Sequence, residues 1–389
     1  MASVASTEVG IIGGGIHGVS AGFHLASTGV KAVLFERGAP ASGPTGRSSA
    51  ICRAFYTNRF IAQVAHDSLE MFANFSEISG GRDAGFRRTG DLYLMGAEDL
   101  GHVHETAAML AEVGTEVQLF QPSDLGRTYR EMDPEGVAIA ALEVNAGYAD
   151  PVATTQGLFQ RAVELGLRSR LYTQVASIEP RPGTGAVIVT TDGDRTECER
   201  LLIAAGPWTR SLAQQLHVDL PLTVERHWVA TFGWNRAKPL PYVLGDIPEG
   251  YYMKPEGNDL FLVGPLTSEP QVDPDAYSAT VTAEEIDRMA SAITKRIPSL
   301  TQADARGGWA SLYDVSPDWQ PVIGEIAPGV VVDAGTSGHG FKLGPALGRH
   351  TASLVLGQDV DPGLSQFSPR RFEADQLLAA GFGSARIIG

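Results

Sequence analysis

One hexapeptide constrains the fold of this chain more than any other segment. Gly13-Gly14-Gly15-Ile16-His17-Gly18 fits G-x-G-x-x-G. It follows an apolar run, Val9 to Ile12, that reads as a short buried strand. It opens a segment, about Ile16 to Ser27, that reads as a helix, with Gly29 where a helix-terminating glycine is expected. Val30 to Phe35 is apolar apart from Lys31, reads as a second buried strand and ends at Glu36, 18 residues past the last glycine. A strand, helix and strand in this order imply a parallel sheet. Each glycine has its own physical reason. Gly13 makes the tight turn, Gly15 lets backbone approach a pyrophosphate, and Gly18 lets the helix lie close on the strand. The helix start offers free N–H groups and a positive dipole end to phosphates. Glu36 stands where an acid hydrogen-bonds an adenosine ribose. Arg37 beside it would suit a 2′-phosphate, but Glu36 repels one, which disfavours NADP; a surface arginine is the competing reading.

The fingerprint does not choose between nicotinamide and flavin dinucleotides. A second glycine-rich element near the C-terminus does. Val330 to Ala334 reads as a strand, Gly335 to Gly344 as a glycine loop, and a helix is expected from Pro345 or just before. A second helix start facing a cofactor ring has a use with a flavin, whose reduction leaves negative charge near N1 and the C2 oxygen. NAD has no such need.

With 389 residues, the chain has room for two or more domains or one with a large insertion. A net charge of −15 repels nucleic-acid backbones, and no Lys/Arg block offsets it. Two cysteines, Cys52 and Cys198, can build neither a disulfide framework nor a structural zinc site, so no metal is expected and a reducing compartment is favoured. The N-terminus lacks the pattern of a signal peptide, and no window reaches the roughly 18 apolar residues of a membrane span, so the expectation is a cytoplasmic protein.

Parallel-sheet texture recurs along the chain. Val152 to Leu165 reads as a helix, and Leu171 to Ile178, Ala186 to Thr190 and Leu201 to Ala204 read as strands. Short strand-like segments dominate from about Arg87 to Ala149 and from Leu220 to Arg306. The expected architecture is therefore α/β. A discontinuous Rossmann-like dinucleotide-binding domain (1–86, 150–217 and 320–389) carries an inserted α+β substrate domain (87–149 and 218–319) dominated by an antiparallel sheet.

Further motifs stand in order: the loop Gly43-Pro44-Thr45-Gly46-Arg47-Ser48-Ser49-Ala50-Ile51-Cys52-Arg53, the turn Ala204-Ala205-Gly206-Pro207-Trp208, the turn Ser316-Pro317-Asp318, and Gly335 to Leu343. With the fingerprint, this set resembles the D-amino-acid oxidase superfamily of FAD-dependent oxidoreductases, in its glycine oxidase and sarcosine oxidase branch. The resemblance covers nearly the whole chain and implies FAD. It places Gly13, Gly15, Ile16, His17, Gly18, Glu36 and Arg37 on the ADP half, and Thr45, Gly46, Arg47, Ser48 and Ser49 along the pyrophosphate and flavin. It places Val175 beside the adenine, Ala205, Gly206 and Trp208 by the ribityl chain, and Gly338, His339, Gly340, Phe341 and Lys342 at the flavin's pyrimidine edge.

In several relatives a cysteine near the Ser-Pro-Asp turn carries the flavin covalently. Ser311 stands at that position here, so non-covalent FAD is expected; a histidyl link at His17 or His339 is the alternative. The resemblance also implies a substrate carboxylate clamped by Arg53 and Lys342, and the chemistry agrees: a guanidinium binds a carboxylate bidentately and an ammonium adds a second charge. Tyr252 and His339 are expected to face the substrate. The expected reaction removes a hydride from a carbon next to nitrogen in a small amine or amino acid, onto flavin N5. A neutral amine needs no strong base for this. Dioxygen or another acceptor would take the electrons. Monomeric sarcosine oxidases carry a lysine near flavin N5, where this chain has Leu262, and Lys254 is the nearest lysine in sequence. Two alternatives stand: oxidation of an alcohol or sugar carbon with His339 as base, or an electron-relaying subunit of a hetero-oligomer. Oligomeric state is left open.

Overall fold

The computed structural model describes residues 5–379 except Arg236 and Lys238. Residues 1–4 and 380–389, the two ends of the expected dinucleotide-binding domain, lie outside the described residues.

Ala5–Ile12 is the central strand of an eight-stranded sheet. It runs parallel to Ala32–Phe35 on one side and to Arg195–Ile203 on the other. Arg168–Arg170 extends the first side, and Val330–Ala334 lies parallel to Arg195–Ile203 on the second. The antiparallel strands Val175–Pro180, Ala186–Thr190 and Val322–Ala327 complete the sheet. Ala32–Phe35 and Val330–Ala334 are buried along their whole length, which explains why their sequences do not alternate.

The helix Ile16–Ser27 leaves the central strand through Gly13, whose φ of 116° suits only glycine, and a Cβ there would lie 2.2 Å from the Ala204 carbonyl. Gly18 has the opposite constraint: a Cβ would meet the Gly13 carbonyl at 2.1 Å, so only glycine lets the helix lie this close. Against this helix packs the long C-terminal helix Gly340–Val355.

That helix starts five residues earlier than the expected Pro345, which sits inside it. Proline removes an N–H donor and normally breaks a helix interior. Ser68, on the neighbouring helix Arg59–Ala73, bridges the gap: its hydroxyl donates to the Leu343 carbonyl at 3.1 Å and accepts from Ala346 N–H at 3.1 Å. His24 Nε2 bonds the Pro345 carbonyl at 3.0 Å.

A second eight-stranded sheet runs Asp304–Val315, Thr223–Gly233, Leu260–Pro265, Tyr251–Glu256, Val243–Asp246, Asp91–Met95, Ile139–Glu143 and Val117–Phe120. Its pairs are antiparallel except Val243–Asp246 with Asp91–Met95. Trp228, Phe232 and Phe261 on one face share a core with Met289 and Ile293 of the helix Ala283–Arg296. On the other face Tyr93, Met95, Ile139 and Ala141 belong to the core of the parallel-sheet half.

Two local expectations differ. Leu171 to Gln174 is not strand; Tyr172 has a φ of 54°, which interrupts the extended chain, and pairing resumes at Val175. The segment 87–149 also contains the helices Leu100–Val113 and Pro122–Thr128. Val103, Thr106, Leu110 and Val113 bury one stripe of the first, and Gly114 ends it in the left-handed region.

Candidate active site

Between the two sheets lies a cavity of about 850 Å³. Glu36, Arg37, Thr173 and Val175 line one end, and Gly338, Gly340, Phe341, Tyr252 and Tyr313 the other. Gly13, Gly15, Ile16 and His17 form the wall between them, faced by Thr45, Arg47, Ser48 and Ser49 and by Ala205, Gly206 and Trp208. Two helix N-termini, at Ile16 and Gly340, thus open on one elongated space. Free N–H groups and positive dipole ends at both suit a pyrophosphate at one and a ring that gains negative charge at the other. A side chain at Gly338 would strike the Tyr313 ring at 2.4 Å, and one at Gly15 would meet Thr45 Oγ1 at 3.0 Å. The cradle therefore fits an extended dinucleotide such as FAD.

Gly18 and Gly46 do not line the cavity. Gly18 acts through packing, and a Cβ at Gly46 would meet the Ala41 carbonyl at 2.2 Å, so it shapes the loop. Glu36 accepts from Gly14 N–H and Gly38 N–H, both at 2.7 Å, which fixes its carboxylate at the cavity edge. Arg37 stacks over Trp208 at 3.8 Å, and both reach Asp275 Oδ1, at 3.3 Å from Arg37 and 2.9 Å from Trp208. Asp275, with Pro274 and Tyr277, crosses from the other half of the molecule onto the cavity wall.

His17 ties the two glycine elements together: Nδ1 lies 2.7 Å from Asp333 Oδ1, and Nε2 lies 2.9 Å from the Gly340 carbonyl. Burial opposes its charge, but the Asp333 carboxylate outweighs this and raises its pKa. Ser311 lines the cavity with its Oγ buried and without a hydrogen-bond partner among the described residues. Neither cysteine is in the wall; burial pushes the Cys52 thiol far up and that of Cys198 up to about 12. Buried thiols of this kind are poor nucleophiles.

The candidate substrate groups lie beside the Phe341 end. Arg53 is buried, donates from Nη1 to the Phe55 carbonyl at 2.6 Å and stacks over the Tyr56 ring at 4.4 Å. Lys342 is also buried. Burial first, and then the charge of Arg53, pull its pKa down to about 7. Neither Arg53, Lys342 nor His339 lines the main cavity. His339 Nδ1 lies 3.1 Å from the Tyr56 hydroxyl. Tyr252 does line it, with its hydroxyl 3.3 Å from Ser49 Oγ; a side chain at Gly264 would strike that hydroxyl at 2.5 Å. Leu262 is buried and faces Lys254 across the strand pair, but the Lys254 ammonium turns to Glu256 at 2.5 Å and to the Tyr148 ring.

Several groups escaped the sequence reading, His227 and Glu143 among them. His227 lines the cavity, stacks on Tyr313 with ring centroids 3.8 Å apart, and bonds Glu225 Oε2 at 3.0 Å. Glu143 caps the backbone of the Arg53 turn. Neither belongs to a motif; both arrive on strands far away in sequence. Among the described residues there is no cluster that could hold a metal ion, and no helix is long and apolar enough to cross a membrane.

Comparison with known proteins agrees with this geometry. The profile of the family described as FAD dependent oxidoreductase (DAO) matches residues 8–354. Monomeric sarcosine oxidase of Bacillus sp. (strain B-0618) is 24% identical, covering 94% of this chain and 96% of its own. Mitochondrial dimethylglycine dehydrogenase of Rattus norvegicus is 24% identical over 94% of this chain but only 45% of its own. The chain spans about half the length of the first curated relatives it matches. Among solved structures, L-proline dehydrogenase from P. horikoshii superposes with a TM-score of 0.86 at 24% identity, covering 97% of this chain and 100% of that one. At such identity the likeness shows the fold alone. With a family profile spanning most of its length, a cavity led by two glycine-rich helix starts and the matching architecture, the chain belongs to the DAO family of FAD-dependent oxidoreductases.

Proposed function

We propose that this enzyme oxidises a carbon–nitrogen bond in a small amine or N-substituted amino acid of the sarcosine, glycine or proline type, giving an imine that water hydrolyses. The observation that carries the reading is the pair of buried cations, Arg53 and Lys342, beside the end of the cavity where Tyr252 and Tyr313 stand. Two cations in one buried place suit a substrate carboxylate, which the guanidinium binds bidentately. Relatives that act on sarcosine and dimethylglycine by name, and structural neighbours that act on proline and glycine, support the same class.

FAD, when bound, supplies the two-electron acceptor. Of the residues assigned to it from the sequence, Gly13, Gly15, Ile16, His17, Glu36, Arg37, Thr45, Arg47, Ser48, Ser49, Val175, Ala205, Gly206, Trp208, Gly338, Gly340 and Phe341 line the cavity, while Gly18, Gly46, His339 and Lys342 stand outside that wall; they would hold it without a covalent bond, since Ser311 offers a hydroxyl and no thiolate. Arg53 and Lys342 orient the carboxylate, so that the carbon bearing nitrogen faces the ring. The Tyr252 and Tyr313 rings close the space over it and exclude water. Our reading keeps the division into the FAD-binding segments 1–86, 150–217 and 320–389 and the substrate segments 87–149 and 218–319. Dioxygen or another acceptor completes the cycle. Anaerobic mixing of the holoprotein with sarcosine, glycine, proline and a simple sugar tests this. Bleaching of the flavin band by an amino acid supports it; bleaching by the sugar alone replaces it with alcohol oxidation, and bleaching by none points to an electron-relaying subunit.

A further inference from the structure

The Arg53–Lys342 clamp has two acidic neighbours that the proposed reaction does not use. Asp91 and Glu143 stand directly opposite each other on adjacent strands, and both are closed off, at 2% and 0% exposure. Residues so placed have Cβ atoms only about 5 Å apart. Glu143 reaches across to the other half of the molecule: Oε1 accepts from Ala54 N–H at 2.8 Å and Oε2 from Phe55 N–H at 2.9 Å. These two amides follow Arg53, whose guanidinium bonds the Phe55 carbonyl. Glu143 thereby fixes the turn that aims the guanidinium. Asp91 Oδ2 accepts from the Tyr93 hydroxyl, while Oδ1 is buried with no hydrogen-bond partner among the described residues.

The charge balance of this chamber decides what it can bind. Arg53 and a protonated Lys342 bring two positive charges. Asp91 and Glu143 bring two negative charges if both ionise. Among the other groups facing them, burial raises the Tyr56 and Tyr93 phenols and the Cys52 thiol, which stay neutral near pH 7, and His339 Nδ1 lies 3.1 Å from the Tyr56 hydroxyl. Lys254, close to Cys52, is already paired with Glu256. With both acids ionised the chamber is neutral and does not attract an anion. Two adjacent buried carboxylates also repel and are costly to desolvate. One proton on the pair relieves the repulsion and leaves a net charge of +1, the complement of one carboxylate.

We propose that Asp91 and Glu143 are positioning residues of the clamp that share one proton, and that a carboxylate entering beside Arg53 and Lys342 binds together with that proton. The inference rests on the reading of Arg53 and Lys342 as a carboxylate clamp. The shifts of the two acids point the same way. Burial pushes Glu143 up to about 8, against the bond from Ala54 and with the help of Asp91. It pushes Asp91 up to about 6, against the bond from Tyr93 and the charges of Arg53 and Lys342. At pH 8 the empty site has lost about half of the shared proton, and more above it, and an arriving anion recovers it.

The test is calorimetric titration of the FAD-loaded protein with acetate, a carboxylate that cannot be oxidised at a C–N bond. It is run at pH 8 in two buffers of different ionisation enthalpy, so that proton uptake is read directly. The wild type is expected to take up about half a proton per acetate on the acid pair, in addition to any that Lys342 gains. In Glu143→Gln and in Asp91→Asn there is no shared proton to recover, so the uptake falls by about half a proton per acetate. The second variant decides the matter if the first does not fold. An infrared difference spectrum gives an independent readout: a carboxylic-acid carbonyl band grows on acetate binding in the wild type and is absent from Glu143→Gln. Uptake equal in the wild type and a folded variant assigns the proton to Lys342 and overturns the inference. Acetate that does not bind the wild type removes the clamp reading itself, and this inference with it.

Discussion

Substituting His17 by leucine keeps similar bulk but removes both polar contacts of the ring. The Gly340 carbonyl can only accept, so Nε2 must donate to it across 2.9 Å. Nδ1 faces the Asp333 carboxylate at 2.7 Å, and a donor is needed there too. An imidazole that donates from both nitrogens is an imidazolium, which agrees with the raised pKa. The substitution strands Asp333 in the core with Thr351 Oγ1 as its remaining side-chain partner, at 2.9 Å. Removing one partner of a buried ion pair costs about 3–5 kcal/mol, and that is the expected loss in denaturant unfolding of the apoprotein. A folded pKa above the unfolded value adds stability that is complete below about pH 6.5 and disappears as pH rises through the folded value. His17→Leu should therefore flatten the wild-type decline on the alkaline side. A loss under about 1 kcal/mol, or an unchanged alkaline decline, would show that the two glycine elements are not joined through this charge.

Other outcomes follow from the same contacts. Gly18→Ala places a Cβ 2.1 Å from the Gly13 carbonyl, so the helix start must withdraw by more than 1 Å to reach ordinary contact. Overpacking of this order costs about 1–3 kcal/mol, and the FAD dissociation constant, read by flavin fluorescence quenching, should rise about tenfold or more; an unchanged constant contradicts the close-approach argument. Burial pulls His24 down to about 4, against the bond to the Pro345 carbonyl. Between about pH 6.5 and 4 the unfolded chain binds the extra proton, so acidification through that window removes up to roughly 3 kcal/mol of stability. His24→Gln should lose that limb, and an identical acid limb refutes the assignment. Asp275→Ala frees Arg37 and Trp208 from the crossing segment. The pair is half exposed and worth no more than about 1 kcal/mol, so FAD release after dilution should quicken by about threefold, and an unchanged rate shows that this contact does not retain the cofactor.

Much of the nucleotide half was legible in the sequence because its constraints are local. The turn at Gly13, the close approach at Gly18 and the acid at Glu36 all lie within one strand–helix–strand unit. The start of the C-terminal helix was misplaced because the proline rule holds for an isolated helix, and Ser68, far away in sequence, supplies the hydrogen bonds that Pro345 disrupts. Glu143, Asp91 and His227 were invisible for the same reason. Each reaches the site by strand register, and a single sequence does not state which strands become neighbours. Asp275 arrives on an irregular crossing segment with no periodicity to mark it. The region before Ala149 carried a readable helix, Leu100–Val113, with its buried stripe and terminal Gly114, but the short strands around it set the texture of the segment.

Two glycine-led helix starts sharing one non-covalently held FAD can be checked by reconstituting the apoprotein with FAD and then precipitating it with acid. One FAD per chain is expected, all of it released into the supernatant while the pellet turns colourless. A chain that takes up no FAD, or a pellet that stays yellow, contradicts it.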